Sequence, residues 1–328
     1  MAQLGAVSNL RGIQRGQEAL ANMIAISPFL RAMDAIGGGG WQEGPLNNDF
    51  HPVNPSLTLQ ARNLDGSYSS LAITPEAKQT DTQRFHGFQI DVDQAHLADD
   101  ARGLMPLASW FPDQLKEEVQ QFGRLFEKGA FQGTGAGTPT VLKGLGTILD
   151  GTTDLQGYTG VKGVINGEDY DAGQSFDLTV IDAATANQFL EALELWAAEV
   201  EGANVMFCHP KLGAKIGSMY RMLHGNPESR DMFGQKIDVI ASLPLVRLLK
   251  ETVMLTEANA DESATDTTSL YIVNLGENLT SMMTNSGLEY EEYDMLQDKQ
   301  SGREKGEIRS NWRLKRKDCI RRVRHLKV

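Results

Sequence analysis

Two stretches of the chain, residues 56–61 and 84–92, alternate apolar and polar residues with a period of two, which is the pattern of a half-buried strand. Leu57 and Leu59 share a face of the first stretch. Turn-forming residues at 63–66 join it to a second short strand, 68–73, so we predict a β-hairpin there. An isolated two-stranded hairpin is marginally stable in water. We therefore expect this hairpin to lie on a surface that a neighbouring subunit supplies.

Further along, the period of the apolar residues changes to that of a helix. Leu115, Val119, Phe122 and Phe126 share one face of an amphipathic helix that we predict over 112–129. At 1.5 Å per residue, this helix is about 25 Å long.

A glycine cluster, residues 133–138, follows this helix directly. Glycines allow backbone amides to approach a phosphate, so a nucleotide-binding enzyme that uses residues 133–138 is one alternative function. A nucleotide fingerprint, however, follows a strand and opens a helix, whereas this cluster follows a helix and contains no Gly-Lys-Ser/Thr. We therefore interpret it mainly as a helix stop.

Residues 140–260 have the pattern of a compact α/β unit. Asp182 can cap one helix and Pro210 can open a second, and the apolar stretch 204–208 between them is typical of a strand. Four β segments follow, over 270–273, 280–284, 288–293 and 312–328. We expect these last segments to pair with the strand that ends at Val92 and to pack on the long helix.

The first 45 residues are predicted to form an arm. Ser27 and Pro28 have the residue types of a helix cap and a first helical residue. Four consecutive glycines, 37–40, then favour a flexible joint. We interpret 1–45 as a mobile N-terminal arm that contains one or two helical pieces.

Composition indicates a globular chain: it has 328 residues, of which 41% are hydrophobic. No run reaches the roughly 18 apolar residues of a membrane helix, and residues 1–15 lack the apolar block of a signal peptide. We therefore expect no membrane partner and a cytoplasmic origin. Cys208 and Cys319 are the only cysteines, and their apolar surroundings favour buried thiols over a disulfide.

Charge is unevenly distributed along the chain. The formal net charge is −12, yet residues 303–327 contain eleven Lys or Arg and three Asp or Glu, a local charge of +8. A basic segment can bind nucleic acid. Here Trp312, Ile320 and Val323 are interleaved with the charges, which is more typical of a half-buried strand with a solvated or subunit-facing side.

Residue types that carry chemistry do not form a catalytic pattern. The stretch from His86 to His96 contains metal-capable side chains, but its alternation predicts a strand whose polar side faces water. No serine lies in a Gly-x-Ser-x-Gly turn, and Cys208 and His209 are merely sequence neighbours. We therefore predict that the protein is not an enzyme and that it has no catalytic, cofactor-binding or metal site.

The order of these pieces resembles the major capsid proteins of tailed bacteriophages with the Hong Kong 97 fold. The stretches that carry the resemblance are FQGTG at 131–135, LKGL at 142–145, NVMFCHP at 204–210 and FGQKIDV at 233–239. Their order and spacing cover about residues 45–328. The resemblance implies an α+β fold with five parts: an N-terminal arm (1–45), an extended loop with flanking strands (46–92), a peripheral domain (93–139) with a spine helix (112–129), an axial domain (140–260) and returning strands of the peripheral domain (261–328).

The resemblance also implies a function, that of a major capsid subunit. Such subunits self-assemble into hexamers and pentamers of an icosahedral shell, which encloses double-stranded DNA without sequence specificity. The expected partners are further copies of the chain, a portal protein and a separate scaffolding protein, and the expected location is the virion after assembly in the host cytoplasm. The residues that we expect at contacts between subunits are Leu57, Leu59, Arg62, Tyr68, Arg84, Arg316 and Arg321.

A bacterial encapsulin-like compartment is the alternative within the same structural class. The long hairpin and the flexible arm favour the phage interpretation. A cargo-peptide pocket lined by the N-terminal helix would favour the encapsulin interpretation.

Overall fold

Two β-sheets, with helices packed on them, form most of the described part of the chain. The structure is a computed structural model that describes residues 21–35, 40–50, 78–93, 107–136, 141–149, 164–166, 176–232, 235–253, 267–277, 279–284, 289–293 and 301–328. The helices are α1 (Pro28–Ala35), α2 (Leu107–Gln132), α3 (Leu145–Ile148), α4 (Ala183–Ala198) and α5 (Pro210–His224). Residues 21–26 are also helical and lead into α1.

The strands are numbered in chain order. They are β1 (Trp41–Glu43), β2 (Asn47–Phe50), β3 (Gln79–Thr82), β4 (Arg84–Asp93), β5 (Val164–Asn166), β6 (Val205–Cys208), β7 (Glu228–Met232), β8 (Gln235–Ile240), β9 (Leu243–Arg247), β10 (Thr267–Val273), β11 (Thr280–Thr284), β12 (Glu289–Tyr293), β13 (Ser301–Leu314) and β14 (Ile320–Lys327).

The first sheet is built around β13. Strand β4 pairs antiparallel with one side of β13, and β11 and β12 pair antiparallel with it along successive parts of its length. Strand β1 extends the sheet by pairing parallel with β11. Helix α2 packs on this sheet: the rings of Phe88 and Phe122 lie 5.5 Å apart, and Trp312 Nε1 donates to the Ala130 carbonyl at 2.8 Å.

The second sheet has the strand order β5-β14-β10-β6-β9-β8-β7. Its two faces cover different clusters of apolar residues, because neighbouring residues in a strand point to opposite faces. Phe207 and Tyr271 join a cluster with α1, α2 and the first sheet, whereas Met206 and Ile272 join one with α4 and α5. This sheet therefore separates two hydrophobic cores.

We expected the last strands to pair with the strand that ends at Val92, and this is correct for β13 and wrong for β10 and β14. Strand β13 pairs with β4 over Arg84–Asp93, as predicted. Strands β10 and β14 also lie in segment 261–328, which we assigned to returning strands of the peripheral domain. They instead pair with each other, and β10 also pairs with β6. The physical reason is burial: every residue of β10 is buried, so this strand needs cover on both faces, which the second sheet provides.

Described residues before 45 are not an arm but part of the core, which corrects that prediction. Phe29 in α1 contacts the rings of Phe131 in α2, Phe207 in the second sheet and Trp312 in the first, at 5.3–5.8 Å between centroids. Strand β1 is hydrogen-bonded into the first sheet. The apolar side chains of residues 23–33 are buried against these elements, and this burial holds the segment in the core.

Several local predictions are confirmed. Asp182 caps α4 by accepting a hydrogen bond from the Thr185 amide at 2.8 Å, and Pro210 opens α5. Ser27 accepts from the Leu30 amide at 3.1 Å and so caps α1. The long helix contains the predicted range 112–129 but runs from 107 to 132, with Pro112 in its second turn. Both cysteines are buried and free.

Of the helices in the described ranges, none combines the length and the apolar character that crossing a membrane requires.

Candidate assembly surfaces

The predicted excursion 46–92 leaves and rejoins the fold through a two-stranded ribbon. Strand β2 pairs antiparallel with β3, from Asn47 opposite Thr82 to Phe50 opposite Gln79. Thr82 Oγ1 and Asn47 Oδ1 are 3.0 Å apart, and the Gln83 amide donates to the Leu46 carbonyl at 2.9 Å. The two ends of segment 51–78 are therefore held side by side.

The base of this ribbon is tied to the first sheet by side-chain amides. Asn311 of β13 donates to the Thr82 carbonyl at 3.2 Å, and buried Gln83 donates to the Gly44 carbonyl at 3.1 Å. The expected contact residues Leu57, Leu59, Arg62 and Tyr68 lie between the two ends of the ribbon and outside the described residues.

The three remaining expected contact residues are described. Arg84 is half-buried at the start of β4, opposite Ser310. Arg316 pairs with Glu201, and Arg321 donates to the Ile320 carbonyl at 2.8 Å and lies 3.8 Å from an Asp318 oxygen. The structure therefore brings Arg316 and Arg321 to one end of β14, while Arg84 lies in the other sheet. Arg316 and Arg321 both have partners within the chain, so both have a structural role in the single subunit.

Residues 133–136 of the glycine cluster form a tight backbone crossing. The Gly133 amide donates to the Gly129 carbonyl, the Gly135 amide donates to the Leu142 carbonyl, and the Gly133 carbonyl accepts from the Gly144 amide. A Cβ on Gly133 would lie 2.0 Å from the Leu142 carbonyl oxygen, so only glycine allows this approach. These amides are occupied within the chain, which weighs against the alternative of a phosphate-binding loop.

His86 occupies a different position from the one predicted. Its ring packs against Phe126 of α2 at 5.8 Å between centroids, whereas Phe85 on the opposite face is 53% exposed and lies under the Arg309 guanidinium. The sequence pattern misled because Phe85 is out of phase with Phe88 and Ile90. Burial lowers the pKa of His86 to about 4, and its buried Nε2 has no hydrogen-bond partner among the described residues. Within the described ranges, no three His, Cys, Asp or Glu side chains are grouped as a metal would need.

The main polar feature that the sequence analysis missed is Glu127, which is fully buried on α2. One carboxylate oxygen accepts from the Ser27 hydroxyl and from the Phe29 amide at 3.3 Å. The other accepts from the Leu249 amide and the Thr252 hydroxyl, both at 2.8 Å. Burial raises the pKa of Glu127, and these four hydrogen bonds oppose that rise. The available signal was its position, directly after Phe126 on the apolar side of the helix.

No protein-family model and no curated protein matches this sequence. Solved structures do match it, over most of its length. The holo-SrpI encapsulin complex from Synechococcus elongatus PCC 7942 is 10% identical and aligns with 90% of this chain and 88% of its own, with a TM-score of 0.55. The capsid of a native GTA particle is 13% identical over 90% of each chain, also with a TM-score of 0.55. The mature capsid of bacteriophage PhiM1 is 10% identical over 88% of this chain and 85% of its own, with a TM-score of 0.53.

These matches define the class of fold. The chain has the α+β Hong Kong 97-like fold of capsid and encapsulin shell subunits, as the resemblance implied. At 10–13% identity, the likeness is one of fold.

Proposed function

We propose that this chain is a major capsid subunit, which assembles into hexamers and pentamers of an icosahedral shell around double-stranded DNA. The observation that carries the proposal is reciprocal coverage. The chain aligns with 90% of its length to the GTA particle capsid, and it covers 90% of that capsid chain in return. What is shared is therefore the fold over most of a shell subunit rather than over one domain of it.

The ribbon of β2 and β3 supports the role of segment 46–92 at contacts between copies. Its two strands pair with each other, and their base is fixed to the first sheet by Gln83 and Asn311. A segment whose ends are held in this way can reach a neighbouring copy while the subunit that carries it stays folded. Leu57, Leu59, Arg62 and Tyr68 remain our candidates for that contact, with Arg84 at its base.

The remaining parts of the proposal follow from a phage shell. DNA would be enclosed without sequence specificity, and a net charge of −12 would limit its adhesion to the inner wall. A portal protein and a scaffolding protein would be partners during assembly in the host cytoplasm, and the finished shell would be part of the virion.

Two observations favour the encapsulin-like compartment as a second candidate. The encapsulin structure matches this chain as well as the phage-type capsids do. In addition, α1 lines a pocket of about 260 Å³, between Pro28 and Arg31 on one side and Lys236, Asp238 and Arg247 on the other. A pocket beside the N-terminal helix is where we expect a cargo peptide in this alternative.

Electron microscopy of the purified chain tests the proposal. We expect closed hollow particles, and nuclease-protected DNA in particles from the native source would select the capsid over the compartment. Monodisperse small oligomers at high protein concentration would overturn both candidates. A co-purified protein cargo without DNA would select the compartment.

Deletion of residues 56–73 tests the role of the excursion. We expect the deleted chain to keep its far-ultraviolet circular dichroism and its cooperative thermal unfolding, because it retains every residue of the two described cores. We also expect it to form no closed particles. Intact particles from the deletion variant would refute the role assigned to this segment.

A further inference from the structure

Charge is segregated between α4 and α5, the two helices that cover one face of the second sheet. From residue 163 to 210 the chain contains no Lys or Arg, and from 202 to 227 it contains no Asp or Glu. Helix α4 lies in the acidic segment and α5 in the basic one. The two helices contact each other and cover the same face of the second sheet.

The outward face of α4 is acidic. Glu191, Glu194 and Glu199 are exposed there, together with Leu195, which is 57% exposed. Glu191 accepts a hydrogen bond from Asn187 at 3.0 Å, and within the described residues none of the three glutamates forms an ion pair. Glu201 follows them and pairs with Arg316.

The outward side of α5 is basic. Lys211 and Arg221 are exposed and Lys215 is half-buried; Met222, next to Arg221 near the C-terminal end of the helix, is 49% exposed. Lys211 Nζ donates to a Val328 backbone oxygen at 2.9 Å, and Lys215 Nζ donates to the Thr179 carbonyl at 3.2 Å. Among the described residues, no Asp or Glu side chain forms an ion pair with any of these three cations.

One charge of each set is placed against the dipole of its helix. The C-terminal end of a helix carries partial negative charge and the N-terminal end partial positive charge. Glu199 is the C-terminal cap of α4 and Lys211 lies in the first turn of α5, whereas Arg221 lies in the last turn of α5, where its charge agrees with the dipole. The helix dipoles therefore do not account for the positions of Glu199 and Lys211.

The two helix ends lie at opposite ends of β6, the strand that connects them. That strand has four residues, or about 13 Å at 3.3 Å per residue. A surface with opposite charges at separated places is complementary to a second copy of itself, displaced and rotated. Such a heterologous contact closes into a ring when the rotation between copies divides a full turn.

We propose that the acidic C-terminal end of α4 in one copy binds the basic N-terminal end of α5 in the next copy, and that this contact repeats around each ring of subunits. The proposal rests on the shell function proposed above. Leu195 supplies apolar area beside the acidic charges, and the charges set the orientation and the rate of encounter. Such contacts weaken as salt increases.

Charge reversal tests the pairing. We expect Glu194→Lys/Glu199→Lys and, separately, Lys211→Glu/Lys215→Glu to slow shell assembly by about tenfold or more at low salt, measured by light scattering and sedimentation. The variant with all four changes should assemble as the unchanged chain does. Thermal unfolding of the free subunit should shift only slightly in each variant. Glu199→Lys and Lys211→Glu now agree with a helix dipole, whereas Lys211→Glu and Lys215→Glu remove the hydrogen bonds to Val328 and Thr179.

Mixing the two singly reversed variants gives a second readout. Contacts form only between unlike variants in such a mixture, so subunits must alternate around a ring. A ring of six can alternate completely, whereas a ring of five leaves one like-charged contact. We therefore expect the mixture to recover hexamers and sheets of hexamers but not pentamers.

The matched control for Glu194→Lys/Glu199→Lys is Glu117→Lys/Glu118→Lys, which makes the same change in net charge on the exposed side of α2. Normal assembly of either reversed variant, failure of the four-change variant to recover, or an equal loss in the control would overturn the pairing and leave the shell function standing. Failure of the unchanged chain to form rings or shells would overturn the shell function, and the pairing with it.

Discussion

The two faces of the second sheet are covered in different ways. On the α4–α5 side, aromatic rings pack edge to face: Phe176, Phe189 and Trp196 lie 5.4–5.9 Å apart. On the other side, α1, α2 and the first sheet meet around Phe29, and the fully buried carboxylate of Glu127 lies among them. One core is mainly apolar, and the other is also fixed by directed hydrogen bonds.

The difference follows from how far apart the contributing residues are in the sequence. Helices α4 and α5 and strand β6 come from one continuous stretch, 183–224. The Glu127 hydrogen bonds instead join residues that are 98 to 125 positions apart. Bringing distant segments together costs more chain entropy, so a few directed bonds help to define which segments meet. We infer that the α4–α5 side forms a more local folding unit.

Trp196→Ala should have the largest effect of the substitutions that probe this comparison. Trp196 is 1% exposed and contacts two other aromatic rings, so its removal leaves a large cavity. We expect a loss of about 3–5 kcal/mol in the free energy of unfolding, measured with denaturant. Trp196→Phe is the control. The indole Nε1 is buried without a partner in the described residues, so a phenyl ring should cost much less.

Glu127→Ala should break the other side with a smaller loss, about 3 kcal/mol. The change leaves the buried Phe29 amide and the half-buried Leu249 amide without their acceptor. The loss should also be local. Hydrogen exchange should increase in α1 and around residues 249–252, while the amides of α4 remain protected.

Glu127→Gln separates the charge of this side chain from its shape. Glutamine retains one acceptor oxygen but places an NH2 group where two donors now point. We expect intermediate stability and an intermediate increase in exchange. Equal exchange in α1 and α4 for both variants would contradict the division of the molecule into two differently stabilised sides.

The same division explains what could be predicted from the sequence. Local signals identified the cap at Asp182, the helix start at Pro210 and the strand between them, because each depends on adjacent residues. The positions of β10 and β14 in the second sheet depend on which strands, distant in the sequence, pair with them and bury them. No local pattern contains that information. The four glycines at 37–40 suggested a free arm, but burial of Phe29 at the junction of three elements decided otherwise. The segregation of charge between α4 and α5 is present in the sequence. Its place on the surface follows only from the structure, in which both helices cover the same face of the second sheet.

The smallest expected effect appears only in acid, and it belongs to the α2 side. Burial lowers the pKa of His86 to about 4, from an ordinary value near 6.5, because the charged imidazolium would lose water against Phe126. Between these two values the unfolded chain binds a proton at His86 and the folded chain does not. Stability from the neutral ring is therefore complete above pH 6.5 and is lost as the pH falls towards 4.

At pH 5 this loss should reach about 2 kcal/mol of the free energy of unfolding. His86→Phe should flatten this part of the pH profile, because a phenyl ring packs on Phe126 without titrating. Chemical denaturation between pH 4 and 7 measures the slope, and nuclear magnetic resonance of the imidazole reports its titration directly. Identical slopes for the two chains would show that the ring is not buried as described. A flattened slope, with α4 equally protected in both chains at every pH, would show that acid weakens the molecule on the side where α2 meets the first sheet.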